Sequence, residues 1–239
     1  MRNRPHGNCR GAHPHFSDAF WTQHYLMNQA ALIQALCDDL TPVTPASPSE
    51  TIARGALIGG SAALLAVLAI WGVQPGIDHG WTLCAFLLKA GAMMALAAIA
   101  LRSLAALARP AAMPVALWPG LAVITAALGF VALGQMLVAH ESGAEQLMFG
   151  ESWQACPWRI AALSLPLLAG IFRSLRQQAP VHLRRTGAIA GLLSGSIAAT
   201  LYALACTEQS AAFVLCWYGL GIALATLLGA VSAPRLLRW

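Results

Sequence analysis

The sequence predicts an all-α, polytopic membrane protein of six transmembrane helices with both termini in the cytoplasm. Three observations carry this: scarce charge, repeated long apolar runs, and arginines concentrated in alternate connections. Of 239 residues, 58% are hydrophobic and 10% charged, and the mean hydropathy is +0.65. A soluble domain carries about 25% charged residues because water must solvate its surface. With so little charge, lipid has to solvate much of this chain instead.

A helix needs roughly 20 apolar residues to cross the hydrocarbon core, and six runs approach that length. The first covers about 55–73, entered after Arg54 and closed by Trp71, Gln74 and Pro75. The second, about 82–101, opens at Trp81 and stops at Arg102. The third, about 115–138, follows Pro114 and ends before His140 and Glu141. The fourth, about 158–175, contains Pro166 and runs into Arg173 and Arg176. The fifth covers about 187–205, and the sixth about 212–231, ahead of Pro234 and Arg235. No stretch alternates apolar and polar residues with period two, so strands are not expected.

The loops set the orientation. With both termini inside, the inner segments hold Arg2, Arg4, Arg10, Arg54, Arg102, Arg109, Arg173, Arg176, Arg184, Arg185, Arg235 and Arg238, which is 12 of the 14 basic residues. The outer segments hold Arg159 against Asp78, Glu141, Glu145, Glu151 and Glu208, and Lys89 falls within the second span. This is the positive-inside pattern. The arginines therefore read as topology anchors rather than a nucleic-acid surface, despite a pI of about 9.1. The first 26 residues contain no apolar core of a cleavable signal, so the first span is expected to act as an uncleaved anchor.

Packing is partly legible. Gly187, Gly191 and Gly195, followed by Ala199 and Ala203, recur at every fourth position of the fifth run. That spacing makes a seam on which a second backbone can approach closely. Gly55 and Gly59 make a shorter seam on the first run.

Three parts are expected: a disordered extension at 1–26, a cytoplasmic partner-binding helix and linker at 27–53, and a six-helix transmembrane domain at 54–239. The extension contains His6, His13, His15, His24 and Cys9, in a spacing that fits no defined metal site. It reads as an extension ahead of a second candidate start at Met27. Residues 27–40, MNQAALIQALCDDL, bring Ala30, Ile33, Leu36, Cys37 and Leu40, with Leu26 ahead of them, onto one helical face. Gln34, Asp38 and Asp39 fall elsewhere, and Thr41-Pro42 ends the helix. So short a helix is marginal alone in water, so its apolar stripe wants a partner. An interfacial membrane helix usually carries Lys or Arg on its polar face; this face is acidic, which favours a protein groove.

The segment LIQALCDDLTPV (32–43) resembles the N-terminal signature of the NrsF-type anti-sigma factor family. GESWQACPWRIAALSLPLLAGIFRSLRQQAP (150–180) is similar to the family's central segment, and residues 191–239 resemble its C-terminal part. The most specific elements are Cys206-x-Glu208, Phe213-Val214 and Trp217-Tyr218-x-x-Gly221-Ile222. Lys89 stands where the family tends to place a lysine in its second span. Ala205 replaces an expected histidine, and Cys37 is an unusual thiol. The resemblance implies a six-span protein of the bacterial inner membrane that holds an extracytoplasmic-function (ECF) sigma factor inactive, with no cofactor and no direct nucleic-acid contact. It makes Leu32, Ile33, Leu36, Asp38, Asp39 and Leu40 the expected sigma-binding residues.

A regulator of this kind needs an input. Cys84 and Cys216 fall inside spans, where cysteine behaves as a small apolar residue. Cys156 and Cys206 fall just before the fourth span and just after the fifth, on the outer face. A thiol pair there could form a disulfide or take a soft metal ion; the bland alternative is two interface cysteines too far apart to react. Together with the family resemblance at both positions, they are the expected signal-sensing pair and metal candidates. Lys89 lies about 12 Å into its span at 1.5 Å per residue, where an intramembrane charge is expected to have a partner. With no acidic residue in any span, that partner is a carbonyl, Gln135, water or an outer carboxylate, unless Lys89 snorkels to the headgroups. An enzyme is not expected, since no zincin motif, nucleophile elbow or phosphate loop is present. The rival reading is a transporter, disfavoured by few ionisable intramembrane groups and no matched pair of broken helices.

Overall fold

The computed structural model describes residues 31–34, 47–75, 80–108, 116–138, 147–178 and 182–237. The chain divides into two compact units, Met1–Pro45 and Ala46–Trp239. In the first, residues 31–34 are helical, and Leu32 and Ile33 are both exposed. Leu36, Asp38, Asp39 and Leu40, with Cys37, lie outside the described residues.

The second unit contains six long helices: α1 (Pro48–Ile70), α2 (Gly80–Leu107), α3 (Trp118–Val138), α4 (Cys156–Leu175), α5 (Leu183–Tyr202) and α6 (Ala211–Leu236). No strand occurs among the described residues. Five of the six are long and apolar enough to cross a membrane; α5 is not among them. The reason is its place in the bundle. α5 packs against α2, α4 and α6, and 11 of its 20 residues are buried. A helix covered by other helices does not need lipid-compatible side chains, so small and hydroxylated residues suffice. Three of its four serine and threonine hydroxyls bond back to its own carbonyls, Ser194 to Gly191 at 3.0 Å, Ser196 to Leu192 at 2.7 Å and Thr200 to Ser196 at 2.9 Å, while the buried Thr186 hydroxyl has no partner among the described residues.

The glycine seams join helices of the same chain. A Cβ added at Gly187 would strike the Gly229 carbonyl and Ala233 on α6, and one at Gly191 would strike the Ala225 carbonyl. α5 and α6 thus cross backbone to backbone, antiparallel, where close approach maximises dispersion contact. α1 meets α4 in the same way, with Gly55 against Gly170 and Gly59 against the Pro166 carbonyl. α3 is the outlier: only Leu128 and Ala132 are buried, while Trp118, Phe130, Leu137 and Val138 face outward.

The core has two main clusters. One, around Ile52, Leu104, Ile171, Leu175 and Leu193, occupies the end where α1, α3 and α5 begin. The other surrounds Tyr202, Phe213 and Tyr218 toward the opposite end. There α6 starts from Ser210, passes through a π-helical turn at Val214–Tyr218, and only then becomes regular. Such turns reorient side chains inside a helix and often occur at functional sites.

Candidate functional site

Cys156 opens α4 and is fully buried; Cys206 lies in the loop after α5 at 3% exposure. The two thiols belong to one core cluster with Tyr202, Phe213 and Tyr218, and both are free. Cys84 and Cys216 point outward, as expected of apolar filler in contact with lipid.

The surroundings of the thiols are aromatic. Tyr202 and Tyr218 lie 6.0 Å apart, Phe213 packs edge-on to Tyr218 at 6.5 Å, and Trp71 packs edge-on to Tyr202 at 6.1 Å. Arg159, one turn beyond Cys156, donates to the Tyr202 hydroxyl at 3.1 Å and sits 5.2 Å over the Trp71 ring. The Tyr218 hydroxyl is buried and has no hydrogen-bond partner among the described residues.

The loop bearing Cys206 is tied to nearly every other part of the bundle. Lys89 Nζ on α2, at 3% exposure, donates to the Cys206 carbonyl at 2.8 Å and the Glu208 carbonyl at 2.9 Å. Lys89 therefore finds main-chain carbonyls rather than snorkelling outward. Gln135 of α3 accepts from the Ala211 amide at 2.8 Å instead of contacting Lys89. The Gln74 amide after α1 donates to the Leu204 carbonyl at 2.8 Å. The Glu208 carboxylate accepts from the Glu151 amide at 2.8 Å, and Trp217 Nε1 donates to the Met148 carbonyl at 2.9 Å. Gly150 has a φ of 53°, and a Cβ there would lie 2.6 Å from the Glu208 carboxylate. Phe149, Trp153 and Trp217 stack beside this contact, with centroids 5.0–6.2 Å apart.

This geometry does two chemical things. It places two thiols in a buried aromatic core, where a reagent reaches them only through local opening. It also makes the loop conformation dependent on α2, α3, and the connections after α1 and before α4 together. As a metal site the pair stands alone: no group of three or more His, Cys, Asp or Glu that could hold a metal ion gathers among the described residues. The Glu208 carboxylate is already engaged by the Glu151 amide. Sequence reasoning missed the anchoring roles of Gln74, Tyr202 and Arg159. A usable signal existed for Arg159, the lone basic residue among acidic outer loops.

Five long apolar helices packed into one bundle are compatible with membrane association. The chain belongs to the NrsF family, negative regulator of sigma F, whose pattern matches residues 36–239. It is 33% identical over 220 residues to the probable anti-sigma-F factor NrsF of Azospira oryzae, covering 89% of this chain and 100% of that protein. It is 34% identical over 209 residues to the anti-sigma-F factor NrsF of Caulobacter vibrioides, covering 87% and 98% respectively. No solved structure matches the chain.

Proposed function

We propose that this protein is an inner-membrane anti-sigma factor, with six spans and both termini in the cytoplasm. It holds an ECF sigma factor through its N-terminal helix and releases it when Cys156 and Cys206 receive a thiol-directed signal from outside. What carries the reading is the conjunction of family membership with a buried thiol pair, one member of which sits on a loop tied across the bundle. α5, enclosed by α2, α4 and α6, counts as the sixth span because its neighbours replace lipid around it.

In this reading, Leu32, Ile33, Leu36 and Leu40 fill an apolar groove on the sigma factor, and Asp38 and Asp39 meet basic residues at its rim. A helix that is marginal alone folds on that partner. The signal takes one of two forms. An oxidant accepts two electrons as the two thiols lose two protons and form the Sγ–Sγ bond; otherwise a thiophilic ion displaces the thiol protons and bridges the sulfurs. Either draws the start of α4 and the loop after α5 together. The role is regulatory and non-enzymatic.

The test is co-purification from mildly solubilised membranes. A sigma factor is expected with the untreated protein and is expected to leave after oxidant or thiophilic metal. Intact protein that reproducibly carries no sigma factor would overturn the assignment. Reporter fusions at the termini and in each loop test the six-span orientation separately.

A further inference from the structure

Lys89 has a local environment that neither its family membership nor the proposed signal explains. It sits in the tenth position of a 28-residue apolar helix and is 3% exposed. Removing such a side chain from water is unfavourable unless its donors are satisfied. Two of them are satisfied by main-chain carbonyls of Cys206 and Glu208, at 2.8 and 2.9 Å. Carbonyls two residues apart converge on one donor atom only while the loop keeps this bend. The bonds therefore belong to a loop conformation, not merely to a neighbouring residue. Thr82, two turns earlier on α2, accepts from the Gln209 side chain at 3.3 Å, so α2 grips the same loop at a second, weaker point.

The gripped loop is a lid in that its closed conformation keeps its own Cys206 buried, at 3% exposure, in the same core cluster as the fully buried Cys156. A soluble reagent cannot meet a thiol at that depth without local opening. We propose that Lys89 is the positioning residue that keeps this lid closed, so that release of its two carbonyl bonds exposes the thiol pair and sets the threshold of the response. The proposal rests on the thiol reading above for its biological meaning, but not for its physical content.

The experiment measures access directly. In the full-length protein in native membranes, Cys206 is kept as the sole cysteine and its alkylation by N-ethylmaleimide is timed. Lys89→Met preserves length and removes the donors, whereas Lys89→Arg preserves donors. Loss of hydrogen bonds to a buried segment should accelerate Cys206 labelling by about tenfold or more in Lys89→Met. Labelling in Lys89→Arg should stay within about threefold of the parent. A second reporter, Ala190→Cys as the sole cysteine, probes the fully buried far part of α5 and should label slowly in all three backgrounds. An unchanged Cys206 rate in Lys89→Met would overturn the proposal, and so would an equal rise at both reporters, which signifies general loosening. If Cys206 alone accelerates while Cys156→Ser and Cys206→Ser proteins still induce normally, Lys89 holds the lid and it is the thiol signal that falls.

Discussion

Substituting alanine at Gly191 should destabilise the bundle even though it improves the helix. A Cβ there would fall on the Ala225 carbonyl and 2.7 Å from the Thr226 Cα, against 3.4–4 Å for ordinary contact. Both obstacles are main chain of α6 and cannot rotate aside, so the helices must separate by roughly an ångström along the seam. A gap of 0.5–1 Å forfeits about a quarter to a half of each contact's attraction, and such overpacking costs about 1–3 kcal/mol. Replacing a helical glycine returns about 0.5–1 kcal/mol, leaving a net loss of up to about 2.5 kcal/mol. Gly129 on α3 is the internal control, because nothing lies within 4 Å of a Cβ built there. Gly129→Ala should be neutral or stabilising by up to about 1 kcal/mol. Equilibrium unfolding in mixed micelles, titrated with a denaturing detergent, compares the two. Equal effects of the same sign would show that α5 and α6 do not cross at this distance, and the seam would have to be abandoned.

Gly150→Ala should cost about 1–3 kcal/mol, from its left-handed φ and the Glu208 carboxylate in its path. Trimming the acceptor in a Glu208→Ala background should recover only the steric part, as read by the same unfolding titration. Leu36→Asp should release the sigma factor, since a buried leucine contributes about 1.5–3 kcal/mol and an unpaired charge costs more than its mere loss. Constitutive expression of the sigma regulon from a correctly inserted protein is the expected readout; unchanged repression would remove residues 27–40 from the binding site. Cys156→Ser and Cys206→Ser should each keep repression and abolish induction by oxidant or thiophilic metal, whereas Cys84→Ser and Cys216→Ser should induce normally in a transcriptional reporter. Induction surviving either of the first two changes would exclude the pair as the input.

The parts of the site that a sequence can show are those marked by unusual residue types. Lys89 is conspicuous because a lysine in an apolar run demands a partner, and a main-chain carbonyl is among the partners such a run offers. Cys156 and Cys206 were conspicuous by their placement at the ends of consecutive runs. What holds the loop was not visible in the same way, because its acceptors are mostly carbonyls of residues 204–208 and 148, and every residue has a carbonyl. The π-helical turn at Val214–Tyr218 left no trace either, since one extra residue in a helical turn does not disturb an apolar run. Nor did Tyr202 signal its place against Trp71 and Arg159, which depends on three helices meeting.

The fifth run shows a different kind of illegibility. Among the helices long and apolar enough to span, α3 is the most apolar and the least buried, while α4 is the least apolar and the most buried. At these two extremes hydropathy falls as burial within the bundle rises. An apolar side chain gains nothing by facing a neighbouring helix instead of lipid, so enclosed positions are free to carry the small residues that allow close packing. α5 takes this furthest: glycine, alanine and serine fill the faces it turns to α2, α4 and α6, and it fails the apolarity that its lipid-facing neighbours meet. The same enclosure bears on the site. α5 ends at Tyr202, four residues before Cys206, and its seam with α6 is made of backbone with no flexible side chains to absorb displacement. The Cys206 loop is thus held from two sides, by the end of α5 through the chain itself and by Lys89 of α2 through hydrogen bonds.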